Sequence, residues 1–117
     1  MRIEWEGAAL RVLFVCSAGL LRSPTAAFLA QRDLDWNTRA AGVADYALVP
    51  VTQQLVSWAD YIVCMEQEHK EMICDRFPAL HLEGRIMVLG IPDKFRRMEP
   101  ELRIIVSEAL SKLSLTQ

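Results

Sequence analysis

Apolar residues along the chain occur in short runs that are separated by stretches with helical periodicity. The run over residues 10–16 is nearly continuous and rich in β-formers, which is typical of a strand buried on both faces. Similar strands are predicted over residues 60–65 and 85–89, and a shorter one over residues 38–41, ending at Gly42. The pattern therefore predicts four strands.

Helices are predicted between these strands. The first is expected over residues 24–34, because Ser23 followed by proline is typical of a helix N-cap and first turn. A brief helix capped by a threonine is expected over residues 53–58, and longer helices over 66–76 and 99–113. The apolar positions of the last helix fall on one stripe, as expected for a helix that packs on a sheet.

Strands that alternate with helices predict βαβ units and a parallel sheet. We expect one α/β domain over residues 1–117, with three layers: a four-stranded parallel sheet in the order 2-1-3-4 and helices on both faces. Ligands of such sheets bind outside the carboxyl ends of the strands. The loops after the strands are therefore where functional residues are expected.

Composition narrows the choice of partner and compartment. The 117 residues include 13 Lys and Arg against 15 Asp and Glu, a net charge of −2, which argues against nucleic acid or an anionic membrane as the main partner. No apolar stretch approaches the roughly 18 residues of a spanning helix, and the acidic start does not resemble a signal peptide. Three cysteines are an odd number and too few for a secreted scaffold. We expect a cytoplasmic protein, monomeric, with reduced thiols.

The loop after the first strand carries the clearest chemical motif, a cysteine followed by five residues and an arginine. Its residues are Cys16, Ser17, Ala18, Gly19, Leu20, Leu21, Arg22 and Ser23. Between a strand and a helix, the N–H groups of such a loop converge on one point and form an anion-binding nest. Gly19 supplies the freedom to adopt a positive φ. We therefore expect the loop residues 17–21 to bind the substrate's phosphate.

Three side chains of this loop are candidates for catalysis. The loop dipoles favour the thiolate of Cys16, which is then a nucleophile. Arg22 can fork two oxygens of a phosphate, and the Ser23 hydroxyl is placed to hydrogen-bond the sulfur when it departs. Together they predict phosphoryl transfer through a cysteinyl-phosphate, which needs no metal or other cofactor.

Such a reaction also needs a group that protonates the leaving oxygen and then activates water. Asp93 follows the fourth strand, at the end of the sheet that also holds Cys16. By residue type alone, an aspartate in a solvated turn is the more common interpretation.

The stretch over residues 12–24 resembles the low-molecular-weight protein tyrosine phosphatases, and residues 41–46, 60–65 and 92–95 resemble three further segments of that family in the same order. The resemblance implies hydrolysis of phosphotyrosine in proteins or of other aryl phosphates. It implies Asp93 as the general acid, and Tyr46 and Phe95 as aromatic walls of the substrate cleft.

The sequence departs from the family pattern at several positions. Ala18 and Gly19 stand where the family usually has Gly-Asn, and that asparagine braces the loop by hydrogen bonds. Leu21 replaces a second cysteine present in many members, and Leu20 stands where members that act on phosphoarginine tend to have threonine. Residues 46–58 leave room only for a brief helix, which implies a reduced wall on one side of the cleft.

Two other functions remain open. Arsenate reductases of the same fold use a loop cysteine and two resolving cysteines, and Cys64 and Cys74 complete that count. A phosphate-binding module would keep the nest of the loop without efficient turnover, which the altered pair at residues 18–19 would permit.

A zinc site formed by cysteines and histidines is not favoured. His69 and Cys74 are five apart on a predicted helix, roughly 140° apart in projection, and no pair formed with Cys64 or His81 has a recognised zinc spacing. Packing roles are expected for these residues, and no metal.

Overall fold

The computed structural model describes residues 9–19 and 21–115, and these residues form four strands that alternate with helices. The elements in chain order are β1 (Arg11–Cys16), α1 (Arg22–Leu34), β2 (Asn37–Gly42), α2 (Gln53–Trp58), β3 (Tyr61–Cys64), α3 (Gln67–Arg76), a 3-10 turn (Pro78–Leu80), β4 (Ile86–Val88) and α4 (Pro100–Ser111). Each predicted strand and helix is present, with ends that differ from the prediction by at most two residues.

The four strands form one parallel sheet in the order β2-β1-β3-β4. β1 lies in the interior of the sheet, which explains its nearly continuous apolar sequence, and its last residue Cys16 is in register with Gly42 of β2. Since the strands are parallel, the loops that follow β1, β2, β3 and β4 gather at one edge. The predicted fold class and strand order are confirmed.

Side chains of β1 alternate between two cores because successive residues of a strand point to opposite faces. Phe14 and Cys16 belong to the core under α1 and α4, whereas Val15 belongs to the core under α2 and α3. Cys64, the β3 residue opposite Val15, faces this second core. The helices therefore cover both faces, as predicted.

The two predicted N-caps have different outcomes. Thr52 caps the six-residue α2, its hydroxyl accepting from Leu55 N–H at 3.2 Å, which confirms the brief helix. The prediction of Ser23 as the N-cap of α1 is wrong: Leu21 occupies that position without a side-chain cap bond, and Ser23 lies within the first turn. The Ser23 hydroxyl contacts Cys16 instead. Among the described residues, no helix has the length and apolar character needed to cross a bilayer.

Candidate active site

Cys16 ends β1 with its sulfur enclosed by the loop that leads into α1. The side chain is buried, the N–H of Gly19 donates to Sγ at 3.2 Å, and the Oγ of Ser23 lies 3.2 Å from Sγ on the other side. Ser23 is fully buried, and its hydroxyl also lies 3.4 Å from the carbonyl oxygen of Ala41. A sulfur with a backbone donor and a hydroxyl donor at these distances is well placed to hold negative charge.

Two glycines let the loop pack backbone against backbone on the end of β2. Gly19 has the predicted positive φ, +73°, and a Cβ at this position would lie 2.9 Å from the backbone of Ala41. At Gly42 a Cβ would lie 2.5 Å from the carbonyl carbon of Ala18 and 2.6 Å from the carbonyl oxygen of Ser17. Gly42 is thus a residue that shapes the site and was not predicted from the sequence. The available signal was its position at the end of the strand predicted to pair with β1.

Arg22 begins α1, and its side chain is only 1% exposed. Its Nη1 donates to Glu66 Oε1 at 2.5 Å and to the carbonyl oxygen of Ile91 at 2.8 Å. With Nη1 anchored in this way, the Nε–Nη2 edge of the planar guanidinium is the edge that can present donors to two oxygens of an anion. The phosphate-binding role of Arg22 stays a prediction.

Asp93 lies beside this arginine, on the loop that follows β4. Its Oδ2 is 3.8 Å from Nη2 of Arg22, and its side chain is 58% exposed. The loop is fixed to the sheet by the Ile91 N–H, which donates to the carbonyl oxygen of Met65 at 2.8 Å. The structure therefore places Asp93 beside Arg22, at the edge of the sheet where β1 and β4 end. The role of Asp93 as an acid stays a prediction.

The two predicted aromatic walls differ in exposure. Tyr46 is 78% exposed, on a turn tied to the loop by the Ala44 N–H, which donates to the carbonyl oxygen of Ser17 at 2.9 Å. The prediction that Phe95 forms a wall of the substrate cleft is wrong: its side chain is 5% exposed and belongs to the core under α1 and α4. A substrate wall needs an exposed ring face, so Phe95 packs in the core and Tyr46 alone stays a predicted wall.

The remaining predicted phosphate-binding residues lie on the loop between Cys16 and Arg22. Ala18 is partly exposed there and Leu21 is exposed, and Leu20 lies outside the described residues. Their predicted contacts, made by backbone N–H groups, stay predictions.

Two further residues of the site, Glu66 and His69, were not identified from the sequence as site residues. Glu66 precedes α3 and His69 lies in its first turn, fully buried. The Glu66 N–H donates to Nδ1 of His69 at 3.1 Å, and Nε2 of His69 lies 3.1 Å from Oγ of Ser17. Because Nδ1 accepts, the network assigns the proton of the neutral ring to Nε2, which donates to Ser17.

His69 is neutral at neutral pH in this environment. Burial lowers its pKa below the ordinary value of 6.5, and the positive charge of Arg22 lowers the pKa further, whereas Glu66, Glu68 and Asp93 act in the opposite direction. Glu66, Glu68 and His69 place possible metal ligand atoms within 4.8 Å of one another. Both ring nitrogens of His69 are hydrogen-bonded, and Glu66 is paired with Arg22. These side chains therefore hold the loop and Arg22 in place rather than forming a metal site.

The other two cysteines lie on the far side of the sheet from the sulfur of Cys16. Cys64 is fully buried in the core under α2 and α3, and its burial, with Cys74 nearby, raises the pKa of the Cys64 thiol to about 12. Cys74 is partly buried against the same core. Neither thiol shares a face of the sheet with Cys16.

No family model matches the sequence, and no curated protein matches it. Several solved structures are similar in fold. Wzb from Vibrio vulnificus, in complex with benzylphosphonate, superposes with a TM-score of 0.72 at 22% identity over 87% of this chain and 94% of that one. The low-molecular-weight protein tyrosine phosphatase SP-PTP from Streptococcus pyogenes gives 0.71 at 17% identity over 91% and 94%. The YwlE arginine phosphatase from Geobacillus stearothermophilus gives 0.68 at 22% identity over 87% and 86%.

Proposed function

We propose that this chain, which has the α/β fold of the low-molecular-weight protein tyrosine phosphatases, is a phosphatase of aryl phosphate monoesters, with phosphotyrosine in proteins as its substrate class. The observation that carries the proposal is the arrangement around Cys16. Its sulfur lies 3.2 Å from the Gly19 nitrogen and 3.2 Å from the Ser23 hydroxyl oxygen. The buried guanidinium of Arg22 and the carboxylate of Asp93 lie side by side at the same edge of the sheet. Tyr46 is exposed on the turn that is tied to the loop, where its ring can contact an aryl group.

In the first step the Cys16 thiolate attacks phosphorus in line with the leaving oxygen. The S–P bond forms and the P–O bond to the phenol breaks, while Asp93 gives its proton to the departing phenolate. Arg22 and the loop N–H groups hold the three equatorial oxygens, where positioned charge contributes most to phosphoryl transfer.

In the second step water hydrolyses the cysteinyl-phosphate. The Asp93 carboxylate takes a proton from the water as it attacks phosphorus, the S–P bond breaks, and Cys16 leaves as a thiolate stabilised by Ser23 and the Gly19 N–H. Inorganic phosphate departs and Asp93 is again protonated. Every step uses groups of the chain, the substrate and water.

The positions of the thiols favour hydrolysis over arsenate reduction. A reductase would need thiols that reach Cys16 to form a disulfide, whereas Cys64 and Cys74 belong to the core on the opposite face of the sheet. Leu20, in place of threonine, is the sequence feature that favours phosphotyrosine over phosphoarginine.

The test is a substrate profile of the purified chain with p-nitrophenyl phosphate, a phosphotyrosine peptide, phosphoarginine, phosphoserine and arsenate. We expect turnover of the first two, and a loss of at least about 10³-fold in Cys16→Ser because the nucleophile is removed. Cys74→Ser is the matched control and should keep the wild-type rate. Wild-type hydrolysis no faster than that of Cys16→Ser would overturn the proposal, leaving a phosphate-binding module. Arsenate reduction with a disulfide at Cys16 would instead identify a reductase.

A further inference from the structure

A hydrogen bond between Ser17 and His69 braces the phosphate loop, in which the resemblance to the phosphatase family implies a bracing asparagine that this chain lacks. Gly19 stands in the asparagine's place and has no side chain with which to hold the loop. We propose that His69 is a positioning residue that acts through the hydroxyl of Ser17, and that the start of α3 thereby holds both ends of the phosphate loop. This inference rests on the proposed function.

The start of α3 holds the phosphate loop through two contacts, here called arms, and the first arm joins His69 to Ser17. Nε2 of His69 lies 3.1 Å from Ser17 Oγ, and the ring is kept in place by burial and by the Glu66 N–H on Nδ1 at 3.1 Å. The carbonyl oxygen of Ser17 accepts the N–H of Ala44 at 2.9 Å. Ser17 is thus fixed through its side chain and its backbone, which sets the direction of the loop immediately after Cys16.

The second arm joins Glu66 to Arg22. Oε1 of Glu66 accepts from Nη1 of the buried guanidinium at 2.5 Å. Glu66 and His69 are three residues apart on a single turn, so their side chains lie on the same side of the helix start. One rigid turn therefore sets the separation of Ser17 and Arg22, the residues that flank the site where phosphate binds.

The protonation state of His69 decides whether the Glu66 N–H can hold the ring in the orientation that reaches Ser17. A protonated ring has N–H groups at both nitrogens, so Nδ1 can no longer accept from the Glu66 N–H. The groups that face His69 are Arg22 from α1, Glu66 and Glu68 from α3, and Asp93 from the loop after β4. Burial and Arg22 outweigh the three acids and keep the ring neutral, so the brace is intact at neutral pH.

Four substitutions separate the arm to Ser17 from the contact with Glu66. Ser17→Ala removes the acceptor, and Ser17→Thr keeps it. Asparagine places an oxygen near the position of Nδ1 but is too short to reach Ser17, whereas glutamine places its amide near Nε2. His69→Asn therefore keeps the contact with Glu66 and loses the brace, and His69→Gln does the reverse. Ser107→Ala and His81→Asn, at exposed positions, are the matched controls.

The measurements are kcat and KM for p-nitrophenyl phosphate, the Kd for inorganic phosphate, and the thermal midpoint. We expect Ser17→Ala and His69→Asn each to lower kcat/KM by about 3- to 10-fold, the effect of one lost hydrogen bond, mainly through kcat. The double variant should be no worse than either single variant, because both remove the same contact. Ser17→Thr and His69→Gln, which keep the contact between the two residues, should recover most of the rate that Ser17→Ala and His69→Asn lose.

Multiplying losses in the double variant, or a lower thermal midpoint with unchanged kcat/KM and phosphate Kd, would overturn the inference and leave the proposed function intact. A wild type that binds phosphate without hydrolysing it, with weaker binding in Ser17→Ala and His69→Asn, would support the brace and reject the proposed function. A wild type that does neither rejects both. Ser17→Ala, at a partly exposed position, keeps the test decisive if His69→Asn does not fold.

Discussion

The hydroxyl oxygen of Ser23 lies 3.2 Å from the sulfur of Cys16, although the sequence around Ser23 favours a helix cap. Ser23 is fully buried within the first turn of α1, where its hydroxyl faces the sulfur and the carbonyl oxygen of Ala41. An N-cap serine uses its hydroxyl oxygen to accept a backbone N–H of the first turn, a bond that Ser23 does not make. The residue is therefore placed for the chemistry of Cys16.

Ser23→Ala should slow the second chemical step more than the first, because the sulfur is the leaving group only when the cysteinyl-phosphate is hydrolysed. We expect kcat to fall by about 10-fold, as for the loss of one hydrogen bond to a charged group, and a burst of p-nitrophenol on rapid mixing. Stopped-flow absorbance measures both. A rate loss without a burst would place Ser23 outside the dephosphorylation step, and Ser107→Ala is the exposed control.

Asp93→Asn should lower the rate of hydrolysis without weakening the binding of inorganic phosphate. The carboxylate is 3.8 Å from the guanidinium of Arg22, so the neutral amide removes a negative charge from the anion site while the loop and Arg22 remain. We expect kcat for phosphotyrosine to fall by about 10²- to 10⁴-fold, less for p-nitrophenyl phosphate, whose phenolate leaves more readily. The Kd for phosphate should stay equal or tighten. Asp75→Asn, an exposed acid on α3, is the control, and an unchanged rate in Asp93→Asn would remove Asp93 from the mechanism.

Gly42→Ala should distort the phosphate loop. Its Cβ would lie 2.5 to 2.7 Å from the backbone of residues 17–19, where no flexible side chain can give way. We expect a stability loss of about 1–3 kcal/mol, typical of overpacking, together with a fall of kcat/KM of about 10-fold or more. Gly84→Ala separates the two effects: it has a positive φ with open space around it, so it should lose stability and keep kcat/KM. Wild-type activity in Gly42→Ala would show that the loop tolerates displacement.

The fold and the first half of the site follow from features that are local in the sequence. The apolar run of β1, the alternation of elements, and the contiguous motif from Cys16 to Ser23 predict the sheet and the loop. Glu66 and His69 reach that loop because Met65 N–H pairs with the carbonyl oxygen of Val15 at 2.9 Å, a contact between strand ends that are 50 residues apart in the chain. The predicted strand order places these strand ends side by side, but the sequence pattern does not tell which side chains of the turn after β3 contact the loop.

The error at Phe95 has a related cause. The resemblance of residues 92–95 to a loop of the phosphatase family implied a place for Phe95 at the cleft, but neighbours in a loop need not point in the same direction. The exposed side chain of Asp93 lies 3.8 Å from the guanidinium of Arg22, whereas Phe95 packs into the core under α1 and α4. The path of the loop over that core, which depends on the helices beneath it, decides the orientation of each side chain.

The buried His69 should make the folded state sensitive to mild acid. Its folded pKa is lowered, first by burial and next by Arg22, below the ordinary value of 6.5. About one pH unit or more above 6.5 the ring is essentially neutral in both states and contributes no pH dependence. As the pH falls below 6.5, the unfolded chain takes up a proton that the folded chain does not, so stability decreases until the folded pKa is reached. The slope from this one group approaches about 1.4 kcal/mol per pH unit within that window.

Urea unfolding of wild type and His69→Asn at intervals between pH 7.5 and pH 5 measures this effect. The difference between the two free energies of unfolding should be nearly constant at the upper end of this range, about one pH unit above the ordinary pKa of histidine, and should then narrow as the pH falls, because only the wild type has an imidazole at residue 69 that is protonated more readily in the unfolded state. His81→Asn should follow the wild type throughout, because His81 is exposed. Parallel curves for wild type and His69→Asn below pH 6.5 would show that the imidazole takes up its proton equally well in both states, contrary to its burial among Arg22, Ser17 and Glu66.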